Sequence, residues 1–406
     1  MKIRIISLFM IVLTVSMVFF GCTDNTEETE RTVISDGVFK IGCLLPENNE
    51  NSQHIKDGFV FASTLADTVN LTGGSVSVEY VISDYSDADD ISAKTQSFAD
   101  SGVAAVVFDA DSMDEYESFS LAIAESGIPA ISLNSFTSEN DNIFNLTLSQ
   151  SYMSSATATY AMEKGYTKCA VLCETGDKYN TQFAETFTAT YKGYAGTEPT
   201  VYYKSGDNAN YTPAALVSES YDSVLMLCAD NSREQLSTEL RDNGFLGEIM
   251  FTEVLNKNVM ESGPFENCSY LSKLNEDISN NISTVFYSMY SEYAGVKAGD
   301  VTAATAYGYD AYMLIFEALK SFSSDTDNAV FSNTETKASD SATGDNDIKL
   351  SDLKDAVKNV VYYGVTDIVR FKNNQNTTTY IYVDYVSGGK AQLAGKYTFA
   401  PENNNN

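Results

Sequence analysis

The sequence predicts an α/β protein of two doubly wound lobes, each built on a mostly parallel sheet with helices on both faces. Three observations lead there. Continuous apolar runs of strand length recur along the chain, among them "IGCLLP", "GVAAVVF", "KCAVLCE" and "DSVLMLCA", as strands covered on both faces require. Helix-length stretches with apolar residues on one stripe alternate with them, which is the order of a parallel sheet. The chain beyond residue 37 is also longer than the ~250–300 residues a single core supports, so two lobes are expected.

The elements follow in order. "VFKIGCLLP" opens the first half, and Ile55, Phe59, Ala62, Ala66 and Val69 after it fall at helical spacing. "GGSVSVEYVISD" places Val76, Val78, Tyr80 and Ile82 in strict alternation, as a strand does. "GVAAVVF", a helix and the strand in "ESGIPAISL" complete this half. The pattern then starts again. A helix around Tyr152 to Met162 precedes strand "KCAVLCE", a helix with Phe183, Phe187 and Tyr191 on one stripe, and strands "TVYYK" and "DSVLMLCA". A helix from Ser232 to Gly244 follows, with Ser232 expected as N-cap and Gly244 as C-cap, and then strand "EIMFTE". Further on, "TVFYSMYSEYAGVKAGDVTAATAYGYDAYMLIFEALKSF" reads as two helices, the second carrying Tyr312, Ile315, Phe316 and Leu319 as a stripe. Residues 321–347 are rich in Ser, Thr, Asp and Asn and read as a low-complexity surface insertion. "YYGVTDIVRFKNN" and "TTTYIYVDYVSGG" have the alternation of a hairpin, and residues 400–406 read as a tail.

The start of the chain reads as an export signal. Lys2 and Arg4 precede an apolar run from Ile5 to Phe20, short for a membrane span. Gly21 then offers the small residue before a cleavage point and Cys22 the first residue after it, so 1–21 is expected as a signal peptide. Residues 22–37, polar and acidic before Val33, read as a flexible tether.

Composition narrows the partners. The formal charge is −31, and it becomes −33 once the segment bearing Lys2 and Arg4 is removed. So acidic a chain repels nucleic acid and anionic lipid, and neither is expected as a partner. Hydrophobic residues at 43% and aromatics at 12% suffice for real cores. Of six cysteines, Cys43, Cys169, Cys173 and Cys228 lie in apolar strand-like runs, where a thiol acts as a small hydrophobe, and no disulfide framework is expected. No metal-ligand spacing occurs, and neither metal nor cofactor is expected. "DYSDADD" lacks the glycine and distal glutamate of a calcium loop. His54 is the single histidine, placed at the start of a helix, and no P-loop, HExxH or GxSxG motif is present, so an enzyme is not expected.

Taken in order, "IGCLLP", "DGFVFA", "SDYSDADDISAKTQSFADSGVAAVVF", "ESGIPAISL", "EKGYTKCAVLCETGDKYNTQFAETF", "ATAYGYDAYMLIFEAL" and "YYGVTDIVRF" resemble the extracellular solute-binding proteins of ABC importers. The branch is that of leucine/isoleucine/valine- and amide-binding proteins, and the likeness covers about Val38 to Phe399. Gly21 and Cys22 likewise resemble a bacterial lipobox, which implies lipidation of Cys22 and anchoring at the outer face of the cell membrane. The resemblance implies the type I periplasmic-binding-protein fold, two lobes joined by hinge strands that close on a ligand. It divides the chain into lobe 1 at 38–148 plus 300–358 and lobe 2 at 149–299 plus 359–399.

It also implies a site. In this family the first lobe grips a ligand carboxylate through hydroxyls and backbone amides of two strand-end loops, here "FDADSMDEYE" and "SLNSFTSEN". Ser112, Ser135 and Thr137 are the candidate hydroxyls, and Ser112 is equally the candidate N-cap of the next helix. From the second lobe the resemblance implies Tyr179 as an aromatic cover, Glu253 as partner of an ammonium group, and Asp230 as a further cleft side chain. Asp109 and Asp111 beside the first loop depart from a carboxylate grip and shift the expected ligand toward a polar or basic amino acid, an amide or an amine. The implied function is a monomeric solute receptor that delivers its ligand to an ABC permease. The alternative is a ligand-sensing regulatory lipoprotein of the same fold, since fold alone does not fix function.

Overall fold

The computed structural model describes residues 31–398 apart from 177, 207, 253–254, 256–259, 262, 273–280, 324–346 and 378–379. Cys22 and Glu253, the tail at 400–406 and nearly all of the expected insertion lie outside the described residues. Thr32 onward forms one compact unit. In it the first half runs β1 (Ile34–Ser35), β2 (Val38–Pro46), α1 (Glu50–Leu65), β3 (Thr68–Leu71), β4 (Gly74–Tyr85), α2 (Ala88–Asp100), β5 (Val103–Phe108), α3 (Met113–Ser126), β6 (Ala130–Ser132) and β7 (Ile143–Asn145). The second half runs α4 (Gln150–Glu163), β8 (Cys169–Cys173), α5 (Lys178–Ala195), β9 (Thr200–Tyr203), α6 (Pro213–Ser218), β10 (Ser223–Leu227), α7 (Asp230–Asp242), β11 (Glu248–Phe251) and β12 (Cys268–Ser272). Then come α8 (Asn281–Ala294), α9 (Ala303–Lys320), α10 (Leu350–Asn359), β13 (Tyr362–Tyr363), β14 (Ile368–Val369), β15 (Phe371–Lys372), β16 (Gln375–Asn376), β17 (Ile381–Ser387) and β18 (Lys390–Tyr397).

Two sheets define two lobes. The first has strand order β15-β16-β7-β6-β5-β2-β4-β3, parallel from β16 through β4, with β1 on the edge of β2. The second has order β18-β17-β12-β11-β10-β8-β9, parallel from β12 to β9. Central strands such as β5, β8 and β10 are buried at every position, which is why they read as unbroken apolar runs. Each half thus has the doubly wound α/β architecture expected of it.

Helices α1 and α9 pack face to face over the first sheet. Gly58 and Gly308 make this possible, since a Cβ on Gly58 would strike the backbone oxygen of Thr305 and one on Gly308 that of Ile55. Tyr312, Ile315 and Leu319 on α9 are fully buried and Phe316 nearly so. Asp310, on the same helix and fully buried, accepts hydrogen bonds from Tyr362 Oη (2.9 Å), Val365 N (2.8 Å), Thr366 N (2.7 Å) and Thr366 Oγ1 (2.6 Å). A side chain at Gly364 would collide with this carboxylate, 2.5 Å from the place of its Cβ.

That anchor corrects the expected lobe boundaries. Residues 359–376 stay with lobe 1: Val360, Tyr362, Val369 and Phe371 join its core, and Gln375 of β16 pairs with Asn145 of β7. The cause is Asp310, whose four bonds hold the "YYGVT" segment against α9. Helix α8, expected with lobe 2, also packs on lobe 1, with Phe286 and Tyr290 buried against Phe61 of α1 and Tyr309 of α9. The chain therefore passes between lobes after Asn145, between Ser272 and Asn281, and between Asn376 and Ile381. The expected hairpin also resolves differently: β17 pairs with β18 and with β12, while the "YYGVTDIVRF" run folds into the short pairs β13 with β14 and β15 with β16.

Candidate cleft between the lobes

In open parallel sheets ligands bind beyond the carboxyl ends of the strands, where helix N-termini gather. In lobe 1 those ends carry a tied set of loops. Asn49 caps α1 by accepting from Asn51 N (2.7 Å), and its Nδ2 donates to Asp111 Oδ1 at 2.5 Å. Ser112 caps α3, its Oγ accepting from Glu115 N at 3.3 Å. Glu115 turns back, its Oε2 accepting from Asp111 N (2.8 Å) and Tyr85 Oη (2.9 Å). Asn134, two residues past β6, donates through Nδ2 to Asp109 Oδ1 (2.7 Å) and to Ala110 O (2.8 Å). Carboxylates are dense here, and Lys56 pairs with Asp84 at 2.5 Å. Burial pushes the Tyr85 phenol well up, and Glu115, Asp111 and Asp109 push it further.

Lobe 2 presents a different rim. Glu174 follows β8, and its carboxylate accepts from Ala229 N (3.0 Å) and Ser232 Oγ (2.5 Å). The chain's own anion thus occupies the N-terminus of α7, where the helix dipole favours it. The helix begins at Asp230 after Ala229, so Ser232 lies inside it and is not the N-cap expected from sequence. Gly244 lies past the end of the helix with a positive φ of 89°, as expected near a helix C-terminus. Tyr179 sits in the first turn of α5, its carbonyl accepting from Gln150 Nε2.

The two rims meet through aromatic rings. Phe136 of the β6–β7 loop lies edge-to-face on Tyr179 with centroids 5.1 Å apart and planes at 85°, and packs at a tilt of 59° against Tyr116 at 5.4 Å. Such a pair is worth about 0.5–1.5 kcal/mol beyond its buried area. Beside it, Lys178 Nζ reaches Glu117 Oε1 at 2.7 Å, an exposed ion pair that adds little stability but bridges α5 and α3. The cleft is closed at this point.

The structure brings the predicted residues together unevenly. Tyr179 faces the loop that holds Ser135 and Thr137 by way of Phe136. The Ser135 hydroxyl contacts Met153 Sδ at 3.2 Å, and its carbonyl accepts from Gln150 N at 3.0 Å. Thr137 is exposed, and Ser112 is exposed while serving as a cap. Asp230 begins α7. Sequence reasoning missed Phe136, Asn134 and Glu174. Phe136 had a signal, as the one aromatic side chain in "SLNSFTSEN"; the other two act through partners distant in sequence.

The fold and the cleft together define a hinged, two-lobed α/β binding protein of the type I periplasmic binding fold. A model of the periplasmic binding protein family matches residues 40–367, and the chain belongs to that family. Membership implies a location outside the cytoplasm. Among the described residues no helix is long and apolar enough to cross a membrane. The chain is similar in structure to the leucine binding protein LivK from Thermotoga maritima (TM-score 0.70, 16% identity, covering 88% of this chain and 98% of that one). It is also similar to a solute binding protein of an ABC transporter from R. palustris in complex with 4-hydroxybenzoate (0.70, 16%, 90% and 98%). A third likeness is to the branched-chain amino acid transporter substrate binding protein LivJ from Streptococcus pneumoniae in complex with isoleucine (0.68, 17%, 89% and 99%). At these identities the likeness concerns the fold. No curated protein matches the sequence.

Proposed function

We propose that the protein is the solute receptor of an ABC importer, capturing an amino acid or a related small amide or amine between its lobes and passing it to a membrane permease. The observation that carries this reading is the contact of Phe136 with Tyr179, which joins the strand-end loops of the two lobes over the place where the fold puts ligands. Family membership and the similar structures, one in complex with isoleucine and another with 4-hydroxybenzoate, support a small organic ligand. Ser112, Ser135, Thr137, Tyr179, Asp230 and Glu253 are the proposed ligand-binding residues. An N-capping hydroxyl keeps its own proton to donate, so capping and ligand contact coexist at Ser112. Export with lipidation at Cys22 would hold the receptor near its permease while the tether at 22–37 lets it reach.

Thermal unfolding against a panel of amino acids, amides and amines tests the proposal. A ligand that binds only the folded protein at 100 times its dissociation constant adds about 2.7 kcal/mol. We expect one chemical class to raise the midpoint in the wild type and to lose that effect in Tyr179→Ala. A panel without any shift would refute the receptor reading.

A further inference from the structure

We propose that the outer face of α8 is an interface at which two copies of this chain pair about a two-fold axis, in place of the monomer that the resemblance implies. The pairing is independent of the receptor reading. Helix α8 is apolar on both sides. Its inner side buries Phe286 and Tyr290 against Phe61 of α1 and Tyr309 of α9. Its outer side presents Val285, Met289 and Tyr293, which are 56%, 41% and 53% exposed and, four residues apart, form one stripe. Thr284 and Ser288, also exposed, flank the stripe with small side chains that let another helix come close. Glu292 is the one charged residue of α8, whereas α7, of similar length, carries six. A helix that is apolar all round is ordinarily covered all round.

The stripe fits a second copy. An isologous interface must be complementary to itself, residue i meeting j while j meets i. The stripe is symmetric about Met289. In an antiparallel pair of α8 helices Met289 meets its own copy and Val285 lies opposite Tyr293 twice, a β-branched side chain against an aromatic ring. Tyr293 is steadied for this role, its ring tilted against Phe61 with centroids 4.9 Å apart. Val296, just past the helix, and Leu65, one turn beyond Phe61 on α1, extend the apolar surface.

Charge singles out the same face. At a formal −31, two copies approach at least cost where neither carries charge, and a basic partner would be drawn to the acidic surface instead. Glu292 does not oppose the pairing, since its two copies, each three residues from Met289, lie ~9 Å apart along the helices. A helix of this length spans ~21 Å. The interface therefore belongs to the small, transient class below ~1,200 Å².

Sedimentation equilibrium of the full chain in density-matched detergent tests the pairing. The wild-type mass should rise from one copy toward two with concentration. The dimer should tighten as salt is added, because screening relieves repulsion between two acidic bodies. Met289→Glu should weaken it about tenfold or more with the unfolding midpoint retained. Leu121→Glu, the same change on exposed α3, should leave it unaltered. With a mild added oxidant, Met289→Cys in a Cys228→Ser background should give an interchain disulfide that Leu121→Cys does not. A single-copy mass at every concentration would overturn the inference. So would a dimer that survives Met289→Glu, or one that weakens with salt and so rests on charges elsewhere.

Discussion

At Asp310 one buried carboxylate satisfies four donors, two of them backbone amides, and so decides where the chain leaves lobe 1. Asp310→Ala should cost about 3 kcal/mol or more, because it strands those donors in the core, and denaturant unfolding would show it as a lowered midpoint. Asp222 acts at the surface of lobe 2. Burial tends to raise its pKa, but bonds from Lys168 N, Thr167 N and Thr167 Oγ1 outweigh that and hold it below its ordinary 3.8. A lowered folded-state value means its contribution is complete above pH 3.8 and fades as pH falls through that lowered value. Stability curves of wild type and Asp222→Asn should thus run parallel above this window and converge within it. The described cysteines form no disulfide. Cys43, Cys169, Cys173 and Cys268 are buried, and burial pushes the Cys268 thiol up to about 12 against the opposing charge of Arg241. Alkylation of the native protein, read by mass spectrometry, should reach half-buried Cys228 well before these four.

Among the elements, the strands were the most legible, since a strand covered on both faces must be apolar throughout, and "GVAAVVF" and "DSVLMLCA" are. The helix over 230–242 was legible in extent but not in its capping, because Glu174 satisfies its N-terminus from 55 residues away in the case of Ala229. The lobe boundary near 359 misled for a similar reason: the pull of Asp310 on Val365 and Thr366 leaves no periodic trace. Of the site, the resemblance pointed to Tyr179 and to the loops of Ser112, Ser135 and Thr137, but the contacts across space, Phe136 with Tyr179 and Asn134 with Asp109, needed coordinates. The α1–α9 crossing supplies a sharp test at this scale. Gly308→Ala puts a methyl group into the backbone of Ile55, so it should force the helices apart and lower the unfolding midpoint by several degrees or prevent folding. Gly127→Ala, at a C-cap with open space but a φ of 68°, should cost only about 1 kcal/mol.

In the molecule as a whole, three chain passages join the two lobes, and the proposed function has these lobes close over a small solute. The acidic surface disfavours nonspecific binding to nucleic acid and anionic membranes. The central claim is closure on a ligand, and the most direct measurement is the distance between the lobes in solution. Leu121 on α3 and Tyr194 on α5 are exposed, one on each lobe, and suit spin labels introduced as cysteines in a Cys228→Ser background. Pulsed electron resonance should give a broad distance distribution without solute and a single, shorter one with the solute that the unfolding panel selects. A distribution unchanged by that solute would contradict the account.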